Sequence, residues 1–339
     1  MLGPVVVGIE GRRLTEADRQ RLVHPLVGMV ILFAANYESP AQLTALTAEV
    51  HALRDPPLLI AVDHEGGRVQ RFRREFTHLP PMRRLGELWD RDVLQSCRVA
   101  VSTGYVLASE LRAHGVDFTF SPVLDIDWNR SRVIGDRSFH ADPRVVAMLA
   151  SHLMQGFALA GMSNCGKHFP GHGWAEADSH VDLPTDERPP NVLLARDAAP
   201  YRWLAPQLAS VMPAHVVYPA VDDAPAGFSS LWIDTLRNDL GFAGAIFSDD
   251  LLMAGAATMG SVPERVHAAL AAGCDLVLVC DDLPATDDVL AQLRWQRPAR
   301  FDERVRRLLP RGAAPASMTE LADSELYRLA RADIEGLSA

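Results

Sequence analysis

Short runs of consecutive apolar residues alternate along this chain with longer stretches in which apolar residues recur every three or four positions. The segments fall at residues 5–9, 29–33, 58–62, 118–121, 163–167, 210–212, 245–248 and 276–279; most are mainly apolar, and 163–167 is the polar exception. Strands of a parallel sheet are buried on both faces, so unbroken apolar runs are their expected signature. Alternation with helical periodicity predicts βα units, and eight of them predict an α/β fold closed as a single (β/α)8 TIM-type barrel.

Helix punctuation supports the alternation. Ser39-Pro40 is an N-cap followed by proline in the first turn, and Leu43, Leu46, Val50 and Leu53 come after it at helical spacing. Asp142-Pro143 repeats the device, in a helix expected to run toward Gly161. Ser229 opens a helix that closes near Gly241, and one beginning near Pro263 closes at Gly273. Two connections, 124–142 and 168–190, are long for a compact domain, and such loops are commonly functional. Both come after a strand, which in a barrel places them on the C-terminal face where active sites sit. The expected division is a catalytic barrel over residues 1–283 and a helical tail over 284–339 that packs on it without forming a second domain. The Arg- and Pro-rich stretch 297–315 reads as a surface linker.

Composition narrows the function classes. The 339 residues are 48% hydrophobic and 22% charged, as in ordinary globular proteins. A net charge of −10 argues against nucleic acid or an anionic membrane as the main partner. No run approaches the roughly 20 apolar residues of a membrane span. Val5-Val6-Val7 is short, lacks a basic leader and soon meets Glu10, which predicts a buried strand and no signal peptide. Cys97, Cys165, Cys274 and Cys280 are scattered without metal or redox spacing and are expected in the core. A cytoplasmic protein is the expectation from these two readings. No feature fixes an oligomeric state, and a monomer is the default expectation.

The informative polar residues stand directly after the strands. The third run ends in Asp63-His64-Glu65-Gly66-Gly67-Arg68-Val69-Gln70-Arg71, and the fourth is followed by Asp125, Asp127 and Gly135-Asp136-Arg137-Ser138-Phe139. The fifth leads into Lys167-His168-Phe169-Pro170-Gly171-His172-Gly173 and then Asp178-Ser179-His180. The sixth gives Pro213-Ala214-His215, the seventh Ser248-Asp249-Asp250 and the eighth Cys280-Asp281-Asp282. Asp249 is the sharpest candidate, because a carboxylate at a strand end is held rigidly, as a nucleophile must be. Adjacent acids on an extended backbone point oppositely, so Asp250 is expected to face away and cap the next helix. Asp178 and His180 can project to one side of an extended loop, where the acid would fix the imidazole tautomer. A surface turn in which Asp178 and Ser179 bond local backbone fits the spacing equally well. Asp63, Arg71, Arg137 and Lys167 suit charge-assisted hydrogen bonds to sugar hydroxyls. Structural salt bridges, Asp63 with Arg71 or Asp136 with Arg137, are the plainer alternative.

His168, His172, His180 and His215 share the same face, which raises metal binding. Pro170-Gly171 excludes the helical His-x-x-x-His geometry, and neither a metal nor a cofactor is expected. A metal-dependent hydrolase and a non-catalytic sugar-binding protein remain the alternatives from other classes.

With these motifs assembled, the sequence resembles the glycoside hydrolase family 3 β-N-acetylglucosaminidases, and among them the single-domain bacterial cytoplasmic enzymes of peptidoglycan recycling. The resemblance rests most on the motif from Lys167 to Gly173 followed by Asp178-Ser179-His180. Ser121-Pro122-Val123-Leu124-Asp125, Met212-Pro213-Ala214-His215 and Phe247-Ser248-Asp249-Asp250-Leu251 support it. It implies Asp249 as nucleophile, and Asp178 with His180 as acid/base. It also implies that Asp63, Arg71, Arg137, Lys167 and His168 contact the N-acetylglucosamine ring. The implied substrate is an N-acetylglucosaminyl-anhydromuramoyl peptide, cleaved with retention through a glycosyl-aspartate. One departure is visible: His64 stands where the family usually has glutamine, and its position beside Asp63 is expected to bear on the outer sugar contacts.

Overall fold

The computed structural model describes residues 1–176, 183–315 and 317–338. Eight parallel strands appear where the apolar runs lie: β1 (Val5–Val7), β2 (Val27–Leu32), β3 (Leu59–Val62), β4 (Phe118–Thr119), β5 (Cys165–Phe169), β6 (Ser210–Pro213), β7 (Ala245–Asp250) and β8 (Leu276–Val279). Their order is β4-β3-β2-β1-β8-β7-β6-β5. A parallel bridge from Val123 to Lys167 and hydrogen bonds from the Cys165 and Lys167 amides to the Ser121 and Pro122 carbonyls join the two ends. The sheet is thus a closed (β/α)8 barrel, as the alternation predicts. Apolar side chains fill its interior: Phe118 and Phe120 of the β4 region meet Phe247 of β7 across it, with ring centroids 5.7 and 5.1 Å away. Because β4 and β7 are not neighbours, these contacts cross a packed core and not a pore.

The helices begin and end on the residues that signal them. Ser39 accepts from the Gln42 amide ahead of the helix Pro40–Ala52, and Asp142 accepts from Arg144 ahead of Pro143–Leu159. Ser230–Asp234 continues as a π turn over Thr235–Asp239 before Gly241, and Val262–Ala272 ends on left-handed Gly273. All four cysteines are free thiols; Cys165, Cys274 and Cys280 are buried, while Cys97 is half-buried.

Beyond β8, helices over Leu283–Gln292, Phe301–Arg306, Met318–Asp323 and Glu325–Ser338 lie against the barrel. Tyr327 donates to buried Glu110 at 2.6 Å and Ser102 to Asp333 at 2.7 Å, which ties the last helix to the helix Val93–Ala113. The stretch 297–315 is more than a linker. Phe301 and Leu308 within it are fully buried, and Arg304 bonds Asp275 at 2.8 Å. Two apolar anchors among many arginines are hard to see by composition, but they are enough to pin the segment.

Candidate active site

A cavity of about 950 Å³ opens at the C-terminal ends of the strands. Into it β3 delivers Asp63, β5 Lys167 and His168, β6 Met212, β7 Asp249 and β8 Cys280. Beyond β3 the chain makes a hairpin, His64–Gly66 pairing with Val69–Gln70, and so returns Arg71 to the cavity wall. The turn requires glycine: Gly66 and Gly67 sit at φ 112° and 55°, and a Cβ on Gly67 would lie 2.7 Å from Pro81 Cβ.

The cavity's charged wall is a linked set of ion pairs. Lys167 Nζ lies 2.8 Å from Asp63 and 2.7 Å from Glu65. Arg137 donates to both oxygens of Glu65 at 2.8 Å, and Arg71 reaches Asp63 at 3.6 Å. Asp63 and Arg71 therefore do pair, whereas Asp136 pairs with Arg68 at 3.3 Å and not with Arg137. Burial alone would raise the Glu65 carboxyl, but Arg137 and Lys167 outweigh it and hold it well below the usual range. The same wall keeps Lys167 charged: burial opposes this, while Asp63 and Glu65 raise its ammonium above its ordinary value. Glu65 is a site residue that the sequence pattern alone does not single out. Its signal is the period of two from Asp63, which puts both acids on one side of an extended segment.

A second set positions His168. Asp125, fully buried, accepts from His168 Nδ1 at 2.7 Å and from the His172 amide at 2.6 Å. This leaves His168 Nε2 for the cavity that the residue lines. Asp125 closes the Ser121–Asp125 motif, but only the structure gives it this positioning role.

Asp249, half-buried, follows the buried part of β7 and accepts from the Asp250 amide at 2.9 Å. Burial pushes its carboxyl up, but His215, His168, that amide and Lys167 together outweigh burial, and it lies below its ordinary value. It is therefore a carboxylate at neutral pH. Asp250 does not face away as alternation predicts. It borders the same cavity, because β7 is ending there and its carboxylate accepts from the Leu252 amide at 3.1 Å in the next turn. Burial pushes Asp250 up to about 7, against the Leu252 amide and reinforced by Asp249.

This shift is testable through stability. A carboxyl whose folded value lies above its unfolded one lowers stability progressively as pH rises from about 4 to about 7. Asp250→Asn is expected to gain about 4 kcal/mol over wild type at pH 8 and almost nothing at pH 4 in urea unfolding. A difference that is flat across this range would refute the shift.

His64 corrects the expectation placed on it. It is buried, turned from the cavity and set between Phe72 and Phe76 at 5.9 Å from each ring. Burial pushes its imidazole down to about 3, so it is a neutral core residue and not a sugar contact.

Asp178 and His180 lie outside the described residues. The chain on either side of them is firmly built. Trp174 packs edge-on to Trp128 at 5.3 Å, and Arg188 stacks on both rings while pairing with Asp186 at 2.6 Å and Asp197 at 2.9 Å. Gly173 fits against the 124–142 loop, where a Cβ would come 1.8 Å from the Ile126 carbonyl oxygen. Among the described residues no group of three or more His, Cys, Asp or Glu side chains converges as a metal site, and no helix is long and apolar enough to cross a membrane.

The chain matches the glycosyl hydrolase family 3 N terminal domain over residues 4–310. A β-hexosaminidase of Bordetella avium (strain 197N) is 60% identical over 332 residues, covering 97% of this chain and 94% of that protein. One from Thiobacillus denitrificans is 54% identical over 338 residues, covering 99% and 94%. Among solved structures, NagZ from Neisseria gonorrhoeae in complex with N-trifluoroacetyl-D-glucosamine superposes with a TM-score of 0.94 at 46% identity, over all of this chain and 98% of that one. A charged sugar-sized cavity on a (β/α)8 barrel and relatives this close along nearly their whole length lead to one conclusion: the chain belongs to glycoside hydrolase family 3 and is a β-N-acetylhexosaminidase.

Proposed function

We propose that this enzyme removes terminal β-1,4-linked N-acetylglucosamine from peptidoglycan fragments, N-acetylglucosaminyl-anhydromuramoyl peptides, in the cytoplasm during cell-wall recycling. Asp249 attacks the anomeric carbon while His180, oriented by Asp178, protonates the departing oxygen. The bond from the sugar to the leaving oxygen breaks as a glycosyl-aspartate forms. His180 then takes a proton from water, which releases the sugar with the β configuration retained. Asp63, Arg71, Arg137, Lys167 and His168 bind the ring, their charged donors and acceptors matching its hydroxyls.

One observation carries this reading: a half-buried carboxylate kept ionised at the end of β7, on the wall of a cavity that Lys167, Arg71 and Arg137 also line. The neighbour that binds N-trifluoroacetyl-D-glucosamine supports the sugar assigned to the cavity. Proton NMR of p-nitrophenyl β-N-acetylglucosaminide cleavage is expected to show the β anomer first, and a fluorinated sugar is expected to label Asp249. Initial α anomer, or a trapped species without that label, overturns the glycosyl-aspartate route.

A further inference from the structure

A second cavity of about 870 Å³ adjoins the first and shares Arg132 and Glu176 with it. Its charges are matched one to one, except for Arg132. Arg83 pairs with Asp127 at 2.5 Å, and Arg130 pairs with Glu176 at 2.6 Å while stacking 4.2 Å over Trp174. Asp136 is taken by Arg68 from the first cavity's side. Arg132 is exposed at the seam, and its side chain bonds no other group among the described residues.

The backbone under Arg132 is fixed from two directions. Arg68 donates to the carbonyls of Arg132 at 3.2 Å, of Val133, and of Ile134 at 3.5 Å. Arg137, part of the ion-paired wall, donates to the Val133 carbonyl at 3.2 Å. Two arginines thus hold in place a third whose own charge is unspent. A guanidinium presented this way favours a carboxylate, which it can bind through two parallel hydrogen bonds.

From this arrangement we infer that the second cavity receives the leaving-group side of the substrate, and that Arg132 selects leaving groups carrying a carboxylate. The inference rests on the substrate class proposed above. There the carboxylate has two possible sources, the lactyl group of the muramoyl sugar or the attached peptide. The remaining lining, paired and of both signs, suits a peptide that itself bears both charges.

The test compares kcat/KM on three substrates that share the N-acetylglucosaminyl half. These are neutral chitobiose, N-acetylglucosaminyl-N-acetylmuramic acid with a free lactyl carboxylate, and its dipeptide derivative with the acid on the peptide. Arg132→Gln is expected to lower the ratio of acidic to neutral substrate three- to tenfold, the range of one partly exposed charge-assisted contact. Arg132→Lys is expected to keep most of the ratio, and added salt to erode it in wild type but not in Arg132→Gln. Which acidic substrate responds identifies the carboxylate. Glu176→Gln, by removing a negative charge that both cavities share, is expected to raise the ratio.

Wild-type cleavage of the muramoyl substrates with a ratio that Arg132→Gln leaves unchanged overturns the inference alone. Failure of wild type to cleave them, with chitobiose still cleaved, overturns the proposed substrate and the inference with it.

Discussion

Replacing Asp249 with asparagine is expected to lower kcat about 10⁴-fold, the scale on which loss of a covalent nucleophile falls, while the protein stays folded and still binds N-acetylglucosamine. The fold is expected to survive because the amide is isosteric and its oxygen can keep the bond from the Asp250 amide, 2.9 Å in the native site. A half-buried charge is removed and no cation is stranded, since Lys167 remains paired with Asp63 and Glu65. The sharper form of the test uses Asp249→Gly with azide. A small anion placed in the vacated space attacks the face that the aspartate attacked, and no second displacement occurs. The product should be the α-glycosyl azide, formed at a rate that rises with azide concentration. Activity of the asparagine variant within tenfold of wild type, with deamidation excluded by mass, would sink the assignment. So would azide rescue that gives only β products.

Much of this fold is legible because a barrel strand has few ways to be written. Both faces are buried, so residues 27–32, 59–62 and 276–279 are apolar without interruption, and each is a strand. Asp63 and Asp249 are legible for the complementary reason. A polar residue that ends such a run stands at the edge of the barrel, and on the C-terminal side that edge is the site. Pairing is what the sequence does not disclose. Glu65 meets Arg137 at a separation of 72 positions, and Asp125 meets His168 at a separation of 43. No local pattern encodes those partners. His64 misleads for a related reason. Its position beside Asp63 suggests the site, but the alternation of the hairpin turns it toward Phe72 and Phe76. The same alternation misplaces Asp250, because it stops holding where the strand stops.

Glu65→Gln is the substitution expected to cost the most stability, about 3 to 5 kcal/mol, and with it roughly 4 to 7 °C in Tm. The Glu65 side chain is 3% exposed, Arg137 10% and Lys167 4%. Without the Glu65 charge, both cations must share Asp63, which already approaches Arg71 at 3.6 Å. Three positive groups around one carboxylate is the uncompensated state that makes breaking a buried pair expensive. The sign with pH separates this account from a simple loss of packing. The folded carboxyl lies below its unfolded value of about 4.5, so its stabilisation is complete above that pH and fades only as pH falls toward the folded value. The deficit of the glutamine variant should therefore be constant from pH 5 to 8 and shrink below about 4. Function should suffer mainly in KM, because Arg137 and Lys167 lose the anchor that sets their geometry, while Asp249 keeps its own backbone bond. Removing Arg137 as well should restore part of the stability, since Glu65→Gln/Arg137→Met leaves one fewer unpaired charge than the single variant. A glutamine variant within 1 kcal/mol of wild type, or a double variant that loses the sum of the two single costs, would show that these charges are held independently and not as one wall.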